Sequence, residues 1–129
     1  MTNLEAVQQS KNILSPGILL RLEGLAVLGL AVFVYGRLEY SWLVFLLLFL
    51  WPDIAIVAYA VNKDWGTAVY NLLHTYTLPI ILLIISILLP WTFGIQFAII
   101  WFAHIGMDRL FGYGLKYTSE FKDTHLTRL

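Results

Sequence analysis

Four long apolar runs, joined by turns of only a few residues, leave this chain little choice of fold. They lie at about 17–35, 41–61, 66–89 and 92–112, and each is long enough to cross the ~30 Å hydrocarbon layer of a bilayer as a helix. Soluble domains carry nearer a quarter of charged residues; here 12% are charged and 60% are hydrophobic. Mean hydropathy is +0.78. The sequence predicts an all-α fold, a polytopic membrane four-helix bundle. Residues 1–16 are an N-terminal arm, 17–112 the four-helix domain and 113–129 a C-terminal tail or lid.

Local signals set the boundaries. Ser15-Pro16 reads as a helix N-cap followed by a first-turn proline. Pro52-Asp53 breaks the second run past its middle, and the third contains Asn71, His74 and Pro79. Asn62-Lys63-Asp64 is a turn with Asp64 as the expected cap, and Gly112 and Gly114 end the fourth helix. The leader has a single cation, Lys11, and no small-residue cleavage pattern, so a removed signal peptide is not expected. Four spans place both termini on one side. That side holds Lys11, Lys63, Lys116, Lys122 and Arg128, with Arg21 and Arg109 just inside the spans, against Arg37 alone on the other. Basic residues mark the cytoplasmic face, so both termini are predicted to be cytoplasmic, in a multi-pass inner-membrane protein. Net charge is zero and cysteine is absent, which excludes an electrostatic case for nucleic acid, disulfides and thiolate chemistry.

The polar residues inside the spans share one depth. Counting ~1.5 Å per residue from the cytoplasmic end, Glu23, Asp53, Asn71, His74, His104, Asp108 and Arg109 all fall within roughly 12 Å of that boundary. Little beyond Ser86 and Gln96 lies in the outer half. Ionisable groups in a membrane segment are costly and call for a reason. A structural network is one reading, in which Arg21 or Arg109 pairs with Glu23 or Asp108 and the histidines satisfy loose backbone carbonyls. The other is a metal site. Asp53, His74, His104 and Asp108 supply two imidazoles and two carboxylates, a set suited to one divalent zinc, manganese or iron ion. His104 and Asp108 stand four apart, hence on one helix face. The spans also hold three carboxylates against two guanidiniums, an excess that a cation offsets.

With a metal bound, Glu23 or Asp108 is the candidate general base and Arg21 or Arg109 the candidate clamp for an anionic group. Asn71 is an orienting residue, and Asp123 and His125 belong either to a solvated tail or to a lid over the cavity. The expected function is metal-dependent hydrolysis of a lipid-like or phosphorylated substrate near the inner leaflet. A small proton-coupled transporter using Glu23, Asp53 and Asp108 is the rival, and a non-catalytic scaffold subunit the third reading. Expected partners are membrane lipids and, as an open alternative, a second copy of the chain.

The phrases Leu20-Arg-Leu-Glu-Gly24, Pro52-Asp53, Tyr70-Asn-Leu-Leu-His74-Thr-Tyr, His104-Ile-Gly-Met-Asp-Arg109, Gly112-Tyr-Gly-Leu-Lys-Tyr117 and Phe121-Lys-Asp-Thr-His125-Leu carry a resemblance. Over about residues 17–129 the chain resembles a bacterial family of small four-span membrane proteins catalogued as a domain of unknown function. The resemblance implies fold and membrane location, adds weight to the tail residues, and implies no activity. In the order Pro-Asp, His, His-x-x-x-Asp it is loosely similar to the inner-membrane family described as metal-dependent hydrolases, whose richer histidine motifs it lacks.

Overall fold

Ser15 and Pro16 open the first helix of the computed structural model, α1 (Pro16–Arg37). The Ser15 hydroxyl accepts from the Ile18 N–H at 3.3 Å, and the proline takes a position where no N–H is needed. The structure describes Asn3 and residues 15–113. Most of the N-terminal arm, and the tail with Lys116, Asp123 and His125, lie outside the described residues. Among the described residues the fold is all-helical, without strands.

The second apolar run is built from three pieces. Helix α2 (Trp42–Leu48) gives way to a 3-10 turn, Trp51–Ile54, and α3 (Ala55–Val61) resumes the helix. Pro52 sits at the start of the turn, where its missing N–H withholds the bond a continuous helix would need. Helix α4 (Lys63–Leu73) begins earlier than the expected residue 66, and its cap is Asn62 rather than Asp64. Asn62 Oδ1 accepts from the Asp64 and Trp65 N–H groups at 2.9 and 3.1 Å, and one side chain thus satisfies two orphan donors. The third run stops at His74, restarts as α5 (Thr77–Leu88), and bends by 47° at the break. Pro79 lies in the first turn of α5, downstream of that break.

The fourth run is α6 (Thr92–Leu110), which is closed by a Schellman motif. Gly112 adopts φ +88, its N–H reaches Arg109 O at 3.1 Å, and Tyr113 N–H reaches Asp108 O at 2.7 Å. Helix α6 is the axis of the molecule, with its residues 98–101 and 103–106 buried. It packs most extensively against α1 and then α5, while α3 and α4 pack on each other. Ala31 and Tyr35 of α1 form the core with Ile99, Ile100 and Ala103 of α6.

By length and composition α1 alone among the described helices is able to cross a membrane, and α4 with α5 passes the same test as one bent span. The second run is in shorter pieces, and α6 carries Gln96, His104, Asp108 and Arg109 within 19 residues. Large apolar side chains nevertheless face outward: Leu30, Phe33, Leu46, Leu47 and Leu88 leave between 64% and 74% of their surface exposed.

Helices α1 and α6 meet through two glycines. A Cβ on Gly106 would stand 2.8 Å from Gly24 O and from Leu28 N, and one on Gly24 would stand 2.6 Å from Gly106 O. Neither backbone group swings aside as a side chain does. Alanine gains about 1 kcal/mol of helix propensity over glycine, but overpacking a tight contact costs about 1–3 kcal/mol. Gly106→Ala is therefore expected to lower the thermal midpoint of the detergent-purified protein. Gly29→Ala, whose added methyl meets nothing within 4 Å, is expected to leave it unchanged or raise it. Equal behaviour of the two variants would remove the close approach.

Candidate metal centre

Three separate segments deliver four side chains to one point. Asp53 comes from the 3-10 turn, His74 from the C-terminal end of α4, and His104 and Asp108 from successive turns of α6. His104 Nε2 lies 3.1 Å from Asp53 Oδ1 and 3.3 Å from Asp108 Oδ2. His74 Nε2 lies 3.3 Å from each of the same two oxygens, and the two Nε2 atoms are 3.3 Å apart. All four ligand atoms lie within 4.8 Å of one another. Side-chain exposure falls from 34% at Asp53 through 12% at Asp108 and 3% at His74 to none at His104.

The supports of His74 fix what its ring presents. Its Nδ1 stands 2.8 Å from Tyr70 O, the carbonyl four residues back. A carbonyl only accepts, so Nδ1 carries the proton and Nε2 turns toward the cluster. The Tyr70 ring stacks on the imidazole, centroids 3.8 Å apart and planes 11° apart. His104 is enclosed by Phe49, edge-on at 5.5 Å, and its Nδ1 is buried with no hydrogen-bond partner among the described residues.

The break after α4 frees carbonyls that α6 covers. Trp101 Nε1 donates to Leu73 O at 2.7 Å, and Arg109 Nη2 donates to His74 O at 3.1 Å. The Arg109 guanidinium also lies over the Tyr76 ring, 5.9 Å from its centroid.

The structure thus brings together Asp53, His74, His104 and Asp108 from the polar layer read in the sequence. The other residues of that layer lie elsewhere. Glu23 and Arg21 are exposed on α1 and outside the cluster, and the Arg21 guanidinium lies against Gly112 at the end of α6. Asn71 is half-buried on α4, and its carbonyl accepts from His74 N–H at 3.3 Å. Arg109 is half-buried and committed to His74 O. Asp123 and His125 lie outside the described residues. Sequence reasoning passed over Tyr70, Trp101 and Phe49 as supports. Tyr70 was in reach, one helical turn before His74. The other two come from distant segments, and no spacing signals them.

The four atoms could hold a metal ion, and with protonated rings they also make four histidine–carboxylate ion pairs. The chain belongs to the family described as a domain of unknown function (DUF4260), whose match covers residues 17–129. No curated protein and no solved structure matches it, so the looser likeness to inner-membrane hydrolases has no counterpart there.

Replacing Trp101 by phenylalanine keeps the aromatic packing and removes the donor to Leu73 O. An acceptor left without its partner costs about 1–3 kcal/mol. Trp101→Phe is therefore expected to lower the thermal midpoint and to speed amide exchange around residues 73–77. Unchanged exchange there would show that the bond does not hold the break.

Proposed function

We propose that this chain is an integral membrane metalloprotein of the bacterial inner membrane, in which Asp53, His74, His104 and Asp108 hold one divalent transition metal. The convergence of four ligand atoms on one point carries this reading. Ligands of a tetrahedral zinc ion, each about 2.0–2.1 Å from it, stand about 3.3–3.4 Å apart. Five of the six separations here are 3.1–3.3 Å.

The proton-only alternatives fit less well. Two doubly protonated rings would bring like-charged N–H groups together at 3.3 Å. Two rings with bare Nε2 atoms would turn lone pairs onto carboxylates. A single proton between the groups serves one pair of atoms, while a divalent cation serves all four and balances the two carboxylates.

The membrane part of the proposal is a four-span bundle with both termini cytoplasmic. It rests on the four apolar runs, the outward-facing leucines and phenylalanines of α1, α2 and α5, and the bias of basic residues. The second and third spans are then discontinuous helices that break at a ligand. The reaction we infer is metal-dependent hydrolysis of a lipid-like or phosphorylated substrate at the cytoplasmic side. A second reading, movement of an ion through the centre, is favoured by the two broken helices, because discontinuous helices build ion sites in transporters.

Metal content by mass spectrometry tests the centre. Detergent-purified wild type is expected to carry about one divalent transition metal per chain, and His104→Ala to carry none. A metal-free wild type that takes none up on incubation would sink the proposal. With metal present, turnover of phospholipids or phosphoesters lost in His104→Ala supports the hydrolase. Metal flux into liposomes without turnover supports the transporter.

A further inference from the structure

Four protein ligands around a tetrahedral ion make a closed site, whereas metal-assisted hydrolysis requires one position open to water or substrate. We infer that Asp53 is the exchangeable ligand of this centre, giving up its position to a water or an oxyanion that arrives from the solvent-facing side. The inference rests on the metal reading above and asks which of the four ligands moves.

Three of the ligands are held by a supporting bond or by burial in α6. His74 is fixed by the Tyr70 carbonyl at 2.8 Å, by the ring stacked on it and, through its own carbonyl, by Arg109. His104 and Asp108 ride one turn apart on α6, the most buried helix, and His104 is wholly enclosed. The Asp108 carbonyl is also tied into the Schellman closure by Tyr113 N–H.

Asp53 differs in its exposure and in the element that carries it. It is the most exposed of the four, at 34% against 12% or less. It sits in a four-residue 3-10 turn between two seven-residue helices. Among the described residues its carboxylate meets the two ligand histidines, as the Asp108 carboxylate does, but from a partly exposed turn rather than a buried helix. Outer support of the kind that fixes a ligand is given to His74 by the Tyr70 carbonyl, while His104 and Asp108 are fixed by burial in α6. Moving Asp53 takes rotation of one short side chain at the rim. Moving any of the others displaces a side chain that is 12% exposed or less and packed at α6 or the α4 terminus.

The same asymmetry selects the ligand that enters. Asp53 leaves as an anion, so an incoming anion preserves the charge of the centre. That favours the oxygen of a phosphate or carboxylate group over a neutral alcohol or amide.

Cobalt(II) as the probe metal and azide as the probe anion test this in the full-length, detergent-purified protein. Wild type, Asp53→Ala, Asp53→Asn and His104→Ala are loaded with cobalt, and the visible spectrum is followed as azide is added. Wild type is expected to bind about one cobalt per chain and to change spectrum with azide. Both Asp53 variants are expected to retain cobalt and to respond at lower azide concentration, and His104→Ala to bind none. The inference is overturned if the Asp53 variants lose cobalt as completely as His104→Ala while Asp53→Asn melts like wild type. An azide-insensitive wild-type spectrum overturns it equally. Wild type that binds no cobalt overturns the metal reading itself, a result distinct from both.

Discussion

A helix that stops among apolar side chains must find donors for the carbonyls it frees, and this molecule depends on how it meets that demand. Between His74 and Thr77 the backbone leaves the helical ladder, so Leu73 and His74 lose the N–H groups four residues ahead. Trp101 and Arg109, both on α6, supply the replacements. Those two residues flank His104 and Asp108 along the same helix. The repair and the candidate site are therefore one construction, because the bonds that close the break also set the height of His74 against His104. Losing either donor would move a ligand as well as weaken a helix end.

Helix α6 can carry both tasks because α1 lets it sit deep. The contact of Gly24 with Gly106 brings the two backbones together midway between His104 and Asp108 along α6. At the far end of the same pair, Tyr35 is fully buried, and its hydroxyl donates to Ser41 O while accepting from Gln96 Nε2 at 3.0 Å. Tyr40, Trp42 and Phe45 pack around that ring. Gln96, one of the few polar residues expected in the outer half, thus ties α6 to Tyr35 of α1, whose hydroxyl in turn holds the α1–α2 turn. A polar anchor lies at one end of the α1–α6 pair and a glycine contact at the other, so rotation of α6 about its axis is fixed at two points. The azimuth of His104 follows from both.

What could be read from the sequence was what depends on distance along the chain. Ser15-Pro16 and the Gly112 terminator are local signals with counterparts in the structure, and the apolar runs fold as helix, the second and third of them in separate pieces. The common depth of the polar residues follows from counting at a fixed rise per residue. Facing does not follow from counting, which explains why Glu23, counted to the same depth as the cluster, lies on an exposed side of α1 and outside it. Gly24, its neighbour, points at α6. The break at His74 is likewise not marked by Pro79, the proline of the third run. Proline marks where a donor is missing, but Pro79 falls in a helical first turn, where no donor is required. The actual break is stabilised by side chains 28 and 35 residues away. Asn62 displaced Asp64 as the α4 cap for a smaller reason. Both residue types cap well, and the choice between them was settled by which one left the helical conformation, with Asn62 at φ −150 and ψ 122.

Ligand type and spacing together narrow the ion that the proposed centre would hold. Magnesium keeps several waters and wants six oxygens in near-ideal octahedral geometry, while calcium takes six to eight. Two imidazoles with two carboxylate oxygens at tetrahedral separations suit neither. Zinc accepts this set without a geometric penalty, having a filled d shell, and manganese or iron would need further ligands from the rim to complete a larger coordination number. The rim is the Asp53 side. A preference for zinc and an exchangeable Asp53 are therefore linked. An ion content with four ligands would take a new one only as Asp53 leaves, whereas one that seeks five or six would draw water or substrate oxygen in beside Asp53 without displacing it. Charge adds a further restriction. Two carboxylates and two neutral imidazoles make the site neutral only around a divalent ion, and in apolar surroundings an uncompensated unit charge is the costliest defect the centre could carry.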